Sequence, residues 1–297
     1  QNSNRVLAGL IRKTLASSNL APESSVSLVE SRDEVSELVK MSSELDLIIP
    51  RGSNELVQHI QKNAQVPVLG HADGICHVFL DETADETKSN EVALDSKLDY
   101  PAVCNASETL LVHQKFPDKW LAEILREMQE AGVELRVCAE TKKRLQNFPE
   151  LKLKNAFEED WKTEYIDLII AVKSVKSAEV AVHHINHYGS KHTDTIVTEN
   201  AELAEWFMNT VDAAGVFWNA STRFADGFCY GLGAEVGVST GKIHARGPVG
   251  LEGLVIYKYK LYGNGQGVGR YGHGKRNFLH ENIPLKKNED ITKSHQV

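Results

Sequence analysis

The hydrophobic positions of the chain follow two alternating patterns. Apolar residues three and four positions apart predict helices, whereas short continuous or alternating apolar runs predict strands. Helices are predicted at residues 5–15, 33–41, 55–62, 84–97, 119–131, 141–147, 178–187 and 201–211. Strands are predicted at residues 25–30, 45–49, 66–69, 75–81, 134–139, 165–172, 194–198, 215–219 and 254–261, and a further apolar strand closes the stretch 100–113. Strands and helices that alternate with short connections predict an α/β fold with largely parallel sheets.

Two segments depart from this pattern. Glycines and small residues dominate residues 219–250, which predicts loops, and residues 263–297 form a polar, glycine-containing tail. The best candidate for a domain boundary lies near residues 81–86. We therefore expect three parts, at residues 1–82, 83–250 and 251–297.

Length and charge narrow the class of protein. A chain of 297 residues with 41% hydrophobic residues can bury a large core and form one or two domains. A net charge of −8 without a block of like charges argues against a nucleic-acid-binding surface. The longest apolar runs are too short to cross a bilayer, and no signal peptide opens the chain, so we expect no membrane span.

The cysteines indicate the compartment. The chain has four, without a Cys-x-x-Cys spacing, which is too few for a disulfide framework, so we expect a soluble protein of a reducing compartment. Cys76 and Cys138 are predicted in buried strands, whereas Cys229 is predicted in a loop. Because the chain begins with Gln1 rather than Met, we expect a fragment or a processed form.

The remaining cysteine, Cys104, has sequence neighbours that suit a nucleophile. It follows a proline turn at Pro101 and precedes Asn105-Ala106-Ser107 and an apolar strand. Small neighbours leave space for a substrate carbon, and backbone N–H groups in such a turn can bind an oxyanion and lower the pKa of a thiol. A buried structural cysteine fits the same local sequence.

Two further segments are suited to binding anions. Arg51-Gly52-Ser53-Asn54 joins a predicted strand to a helix, where free N–H groups can bind an anion or a cofactor, although an ordinary turn capped by Ser53 or Asn54 explains it equally well. The loop after residue 219 carries Ser221, Thr222 and Arg223, which suit a carboxylate; a surface arginine is the alternative. Arg246 is a further candidate for the same role.

Three histidines raise the question of a metal. His183, His184 and His187 share a predicted helix, and the pair His183 and His187 could bind zinc. The zinc-protease pattern requires Glu directly after the first His, and His184 stands there instead. We expect surface or structural histidines and no metal.

Five motifs follow one another along nearly the whole chain. They are Asp46-Leu47-Ile48-Ile49-Pro50-Arg51-Gly52, His71-Ala72-Asp73-Gly74-Ile75-Cys76-His77, the stretch 100–113, Asn219-Ala220-Ser221-Thr222-Arg223-Phe224-Ala225-Asp226-Gly227, and Gly231-Leu232-Gly233-Ala234-Glu235 through His244-Ala245-Arg246-Gly247-Pro248. Together they resemble the gamma-glutamyl phosphate reductase (glutamate semialdehyde dehydrogenase) family of the aldehyde dehydrogenase superfamily. The resemblance is closest to the reductase half of eukaryotic bifunctional pyrroline-carboxylate synthases.

The resemblance implies a fold and a set of site residues. It implies an aldehyde-dehydrogenase-like fold with an incomplete Rossmann-type NADP-binding domain at 1–82, an α/β catalytic domain at 83–250, and an oligomerisation strand with a C-terminal tail at 251–297. The implied residues are Cys104 and Asn105 for catalysis; Arg51, Gly52, Ser53, Glu159 and Trp161 for the cofactor; and Asn219, Ser221, Thr222, Arg223 and Arg246 for the substrate. A solvated acidic loop is the alternative explanation of residues 158–161.

The family also implies a reaction, the NADPH-dependent reduction of gamma-glutamyl phosphate to glutamate semialdehyde in proline biosynthesis, through a thioester on Cys104. Ordinary aldehyde dehydrogenases carry a general-base Glu in a Leu-Glu-Leu-Gly-Gly step, where this chain has Pro67-Val68-Leu69-Gly70-His71. A reductase needs no such base, because it does not hydrolyse the thioester. We expect the first Rossmann strand and the residues that select NADPH over NADH to lie upstream of residue 1.

Two interpretations stay open. One is a reductase within a longer parent protein, and the other is an N-terminally truncated, non-catalytic isoform that acts by binding partner subunits. The resemblance implies an acyl phosphate substrate, a homo-oligomer, a glutamate kinase domain in the full-length protein, and a mitochondrial location, with the cytoplasm as the alternative.

Overall fold

The computed structural model describes residues 2–19, 21–52, 54–71 and 73–279. It divides into two units, Gln1–Val255 and Ile256–Val297. The eight α-helices in the described residues are α1 Asn2–Ser18, α2 Arg32–Leu38, α3 Asn54–Asn63, α4 Glu86–Leu98, α5 Asp118–Glu130, α6 Ala139–Arg144, α7 Ala178–Tyr188 and α8 Ala201–Thr210. Among these residues, no helix is of the length and apolarity that a membrane span requires.

The first unit is built on a seven-stranded sheet in which every neighbouring pair is parallel. Its strands lie in the order β4-β3-β5-β2-β1-β6-β7. They are β1 Cys76–Leu80, β2 Ser107–His113, β3 Glu134–Val137, β4 Leu153–Asn155, β5 Ile169–Val175, β6 Thr193–Val197 and β7 Gly215–Trp218. A separate antiparallel pair joins β8 Gly237–Ser239 to β9 Gly247–Val249. The α/β fold with a parallel sheet is confirmed.

Helices cover both faces of the sheet. Successive side chains of a strand point to opposite faces, so the central strands contribute side chains to two separate hydrophobic cores. Val78 and Leu110 pack with α4 and α5 on one face, whereas Phe79 and Leu111 pack with α7 and α8 on the other. This explains why β1 and β2 are continuously apolar, as strands buried on both faces are expected to be.

The predicted helices are confirmed, with ends that shift by a few residues. The strand predicted at 25–30 is wrong: Glu23–Ser25 forms a short 3₁₀ turn, and the residues after it join no ladder in the described part of the chain. The strands predicted at 45–49 and 66–69 are reduced to one parallel bridge, Ile48 to Val68. An alternating pattern fits a strand, but only a partner strand satisfies its backbone groups.

The C-terminal strand predicted at 254–261 is also wrong. Leu251–Leu254 is a 3₁₀ turn, and the following residues are irregular, with apolar side chains such as Tyr259 and Leu261 almost fully exposed. The hydrophobic pattern did not predict β4, β8 and β9, each of which is only three residues long. The three-part division at 82/83 and 250/251 stays a prediction.

A buried ion pair links α4 to β2 just beyond Cys104. The Lys97 ammonium donates to a Glu108 carboxylate oxygen at 2.7 Å, and the two side chains are 0% and 1% exposed. Burial raises the pKa of Glu108 to about 7, although Lys97 opposes the rise, and burial lowers the pKa of Lys97. Such a pair fixes geometry, because removing one partner leaves an uncompensated buried charge.

Replacing Lys97 tests this constraint. We expect Lys97→Met to lower the free energy of unfolding by about 3–5 kcal/mol, and Lys97→Met with Glu108→Leu to recover part of the loss, because the double variant buries no unpaired charge. The exposed pair Lys88 and Glu199 is the control, and Lys88→Met should lower the free energy of unfolding far less, because solvent screens an exposed pair. Urea unfolding measures both. A Lys97→Met loss no larger than that of Lys88→Met would contradict the assignment.

Candidate active site

The candidate site lies at the amino ends of three adjacent strands. Gly74 stands two residues before β1, Cys104 three residues before β2, and His192 directly before β6. Because β2, β1 and β6 are neighbours and parallel, the segments that enter them meet at one edge of the sheet. Ligands of open α/β sheets usually bind at the carboxyl ends of the strands, so this site uses the opposite edge.

Gly74 allows the segment before β1 to contact the cysteine loop directly. A Cβ at Gly74 would lie 2.3 Å from the Cys104 carbonyl oxygen and 2.4 Å from its Cα. The same carbonyl accepts from the buried thiol of Cys76 at 3.3 Å. Only glycine tolerates this approach, which positions Cys104 against β1.

Asn105 fixes the cysteine loop from the other side. Its amide donates to the carbonyl of Ala225 at 3.1 Å, and its side-chain oxygen accepts from the Arg223 guanidinium. The hydroxyl of Thr222 donates to the Asn105 carbonyl at 2.6 Å. The structure therefore brings Asn105, Thr222 and Arg223 together, as predicted for a site, and uses the Asn105 side chain to hold the neighbouring Cys104.

The predicted carboxylate site is largely engaged within the protein. Ser221 and Thr222 are buried and bond to Ser96 at the end of α4. The Arg223 Nε donates to an Asp99 carboxylate oxygen at 3.0 Å. A substrate carboxylate that binds Arg223 has to compete with Asp99. Substrate binding by Ser221, Thr222 and Arg223 stays a prediction.

Asn219 and Arg246 bond to groups outside this cluster. The Asn219 side chain accepts from the Thr198 N–H at 3.0 Å and donates to the Thr198 carbonyl at 3.1 Å, and its φ of 52° is one that asparagine tolerates better than most residues. The Arg246 guanidinium donates to Asp212 at 2.9 Å, and hydrogen bonds from Lys242 first and Arg246 next keep the pKa of Asp212 well below its usual range. These contacts are structural, so substrate binding by either residue stays a prediction.

A cavity of about 220 Å³ contains the predicted cofactor residues Arg51 and Gly52. Its wall also includes His71 and Glu164. A ring nitrogen of His71 lies within 4.8 Å of the Cys104 Sγ, so the cavity adjoins the nucleophile, and the charges of Glu164 and Arg51 act on its thiol. Ser53 lies outside the described residues. The cavity can therefore contribute Arg51, Gly52 and His71 to a site beside Cys104.

Glu159 and Trp161 do not line this cavity. Glu159 is exposed on the 3₁₀ turn Glu158–Lys162, whereas Trp161 is 5% exposed. The Trp161 ring packs edge-on against His184 with centroids 5.6 Å apart, and the Lys173 ammonium lies 4.8 Å from its centre. The structure thus places Trp161 in a buried aromatic cluster with α7, and a cofactor contact by Glu159 or Trp161 stays a prediction.

The electrostatics of Cys104 differ from the expectation. Burial, followed by the charges of Glu164 and Glu235, raises the pKa of its thiol to about 11, and Arg51 opposes the rise only in part. The expected lowering of this pKa is wrong for the protein without ligands, because the backbone contribution is weaker than desolvation. About one molecule in ten thousand carries the thiolate at pH 7.

Two histidines beside Cys104 were not predicted as site residues. Cys104 Sγ and one ring nitrogen each of His71 and His192 all lie within 4.8 Å of one another. His71 lies five residues before β1 and His192 directly before β6, and only the order of the strands brings both to the cysteine loop. On α7, His183 and His187 stack with centroids 6.1 Å apart and His184 is buried, and the expectation that these histidines bind no metal stays a prediction.

The remaining cysteines differ in their surroundings. Cys76 is buried, as predicted, and burial raises its pKa well above the usual value. The strand predicted at Cys138 is wrong at that residue, which is half-buried and caps α6 by accepting from the Thr141 N–H at 3.4 Å. Cys229 is exposed. Cys104 is therefore not the most accessible thiol of the chain.

Sequence and structure comparisons identify relatives of the chain. No protein-family model matches it. A gamma-glutamyl phosphate reductase of Pelotomaculum thermopropionicum is 51% identical over 95% of the chain and 64% of its own length. The crystal structure of a gamma-glutamyl phosphate reductase of Thermotoga maritima, 43% identical, superposes with a TM-score of 0.84 over 89% of the chain and 63% of its own. The chain thus spans less than two thirds of the length of these relatives.

A more distant structure supports the fold. A glyceraldehyde-3-phosphate dehydrogenase of Methanocaldococcus jannaschii, determined with NADP, is 17% identical and superposes with a TM-score of 0.55 over 73% of the chain and 55% of its own. The parallel sheet with helices on both faces is therefore an aldehyde-dehydrogenase-like fold. Within that class, the chain is a homologue of gamma-glutamyl phosphate reductases, with about 50% identity over most of its length, which confirms the resemblance of its motifs.

The close contact at Gly74 makes a testable prediction. We expect Gly74→Ala to lower the free energy of unfolding by about 1–3 kcal/mol, because the new methyl group overlaps the backbone of Cys104. Gly241→Ala is the matched control, since a Cβ there would meet only the Ser239 hydroxyl, at 3.8 Å. Urea unfolding compares the two, and equal losses would show that the cysteine loop is not held in this way.

The raised pKa of Cys104 predicts its reactivity. At pH 7.5 we expect iodoacetamide to modify Cys229 before Cys104, because Cys229 is exposed and Cys104 is mostly a thiol. The Cys104 rate should rise about tenfold per pH unit up to about pH 11, since only the thiolate reacts. Mass mapping at several pH values measures both thiols, with Cys229→Ser as the control. A Cys104 rate that levels off below pH 9 would contradict the raised pKa.

Proposed function

We propose that the chain carries the catalytic part of a gamma-glutamyl phosphate reductase, which reduces gamma-glutamyl phosphate to glutamate semialdehyde and phosphate in proline biosynthesis. The observation that carries this proposal is the identity of about 50% to named reductases over most of the chain. The cysteine loop supports it, because Gly74 and Asn105 hold Cys104 from two sides.

In this proposal Cys104 is the nucleophile. Its thiolate attacks the acyl carbon, a C–S bond forms, and phosphate leaves with the electron pair of the broken C–O bond. The backbone N–H of Cys104 favours its thiolate, and in this proposal the same N–H binds the oxyanion of the attacked carbonyl. The Ala106 N–H is excluded as a donor, since it bonds to the Val103 carbonyl at 3.0 Å.

The cofactor in this proposal is NADPH. The cavity beside Cys104 fits one end of such a molecule: Arg51 supplies a positive charge, and the positive end of the α3 dipole begins directly beyond this turn. Its volume of about 220 Å³ is below the roughly 300–1,000 Å³ of a pocket that encloses a drug-sized ligand. When bound, the dinucleotide supplies the hydride.

Substrate binding in this proposal falls to the loop 219–225. Arg223 and Thr222 both form hydrogen bonds with Asn105, which is the residue directly after Cys104. Displacing Asp99 would free the Arg223 guanidinium for the α-carboxylate of the glutamyl group. On the resemblance alone, we also propose a homo-oligomer, a glutamate kinase domain in the full-length protein, and a mitochondrial location.

A non-catalytic, subunit-binding role is the second candidate, and it is not favoured. The named relatives are reductases, and in this chain Gly74 and Asn105 hold the loop of the proposed nucleophile from two sides. A protein that acted only by assembly would not need the glycine contact behind Cys104.

The reverse reaction tests the proposed function. The chain and a form extended to the length of its relatives are supplied with glutamate semialdehyde, NADP and phosphate. We expect the extended form to reduce NADP, with turnover about 10²-fold lower without phosphate, because the general-base Glu of ordinary aldehyde dehydrogenases has no counterpart in residues 67–71. Cys104→Ser should lower the rate by about 10⁴-fold or more, whereas Cys229→Ser should not change it. An inactive extended form would overturn the proposal, and phosphate-independent turnover would reveal another base.

A further inference from the structure

The cluster of Cys104, His71 and His192 has the composition of a metal site. Two imidazoles and one thiolate are ligands that zinc prefers. Their ligand atoms lie within 4.8 Å of one another, whereas about 3.4–3.6 Å separates ligands around a tetrahedral zinc with bonds of about 2.0–2.3 Å. Closing the difference needs a movement of about 1 Å, which the half-buried side chains of Cys104 and His71 can make.

His71 is held in the tautomer that a metal requires. Its Nδ1 lies 3.0 Å from the Val238 carbonyl oxygen. A carbonyl only accepts, so Nδ1 carries the proton and Nε2 keeps a lone pair when the ring is neutral. Histidines that bind metals commonly donate their other N–H to a carbonyl in this way.

His192 supplies an independent observation in favour of a ligand. The residue is 1% exposed, and its Nε2 has no hydrogen-bond partner among the described residues, although its Nδ1 faces the Thr193 hydroxyl at 2.9 Å. The ring lies edge-on to His71 with centroids 5.0 Å apart. Leaving a buried nitrogen without a partner costs free energy, which a metal bond would recover.

The surroundings give a cation a route and a favourable potential. His71 forms part of the wall of the cavity beside Cys104, so the cluster is reached from that cavity. The carboxylates of Glu164 and Glu235 act electrostatically on Cys104 and attract a cation, while Arg51 opposes them. Three protein ligands leave a fourth position for water.

We propose that His71, Cys104 and His192 bind a thiophilic divalent cation such as Zn²⁺, and that the bound cation reversibly blocks the nucleophile. The Cys104 S–H bond breaks, its proton goes to solvent, and an S–Zn bond forms without any change of oxidation state. Binding rests on these side chains alone, whereas the block of activity rests on the proposed reductase function. The site thus makes the enzyme sensitive to free zinc.

Cobalt tests the site on the chain itself, because Co²⁺ reports its ligands in the absorption spectrum. We expect one Co²⁺ per chain, a near-ultraviolet sulfur-to-cobalt charge-transfer band, the visible bands of a four-coordinate ion, and displacement by Zn²⁺. Cys104→Ala should abolish the charge-transfer band, and His71→Gln and His192→Gln should each weaken Zn²⁺ binding by about tenfold or more in calorimetry. Cys229→Ser and His187→Gln are the controls for the exposed thiol and the α7 histidine pair, and should change neither.

Protection from alkylation tests the same site on the unsubstituted chain. This measurement is needed because a variant of the buried His192 can fail to fold. Stoichiometric Zn²⁺ should slow iodoacetamide modification of Cys104 but not of Cys229, and EDTA should reverse the effect. Absence of the charge-transfer band, its persistence in Cys104→Ala, or unchanged affinity in both folded histidine variants would overturn the proposal. In the extended form, if it is active, Zn²⁺ should inhibit competitively with the acyl phosphate. If the extended form binds zinc but has no activity, the metal site stands and only the reductase function is refuted.

Discussion

The contact between Gly74 and the backbone of Cys104 is the constraint on which the candidate site depends. It holds two chain segments together before either enters the sheet, and β1 and β2 then run side by side from that point. The buried pair Lys97 and Glu108 fixes the beginning of β2 from the helix side. The position of the sulfur is therefore set by backbone and buried side chains, and little of it depends on exposed loops.

The location of the site at the amino ends of the strands helps to explain why its electrostatics disfavour the thiolate form of Cys104. Helix α4 runs into the cysteine loop with its C-terminus, whose dipole is negative and does not stabilise a thiolate. Glu164 and Glu235 act in the same direction. The resting sulfur is therefore a thiol, and a bound substrate, cofactor or cation has to change its surroundings before it becomes reactive.

Much of this arrangement could be predicted from the sequence, because long amphipathic helices and doubly buried strands have strong periodic signals. The failures occurred where pairing decides the outcome: residues 25–30 and 254–261 alternate correctly but have no ladder partner within the described chain. Cys104, Asn105, Thr222 and Arg223 were found as separate motifs, and the fold brings them together. His192 could not be placed beside Cys104, since 88 residues separate them and only the β2-β1-β6 strand order joins them.

The thiol form of Cys104 has a consequence for the chemical lifetime of the protein. Peroxides oxidise thiolates to sulfenic acids far faster than they oxidise thiols, and the later steps to sulfinic and sulfonic acids are largely irreversible. A nucleophile whose pKa is about 11 in the ligand-free protein is shielded from this damage between catalytic cycles. Desolvation of the sulfur thus lowers the reactivity of the resting enzyme and also protects it from oxidation. Oxidation of Cys104 is then confined to the short interval in which a substrate or cofactor is bound.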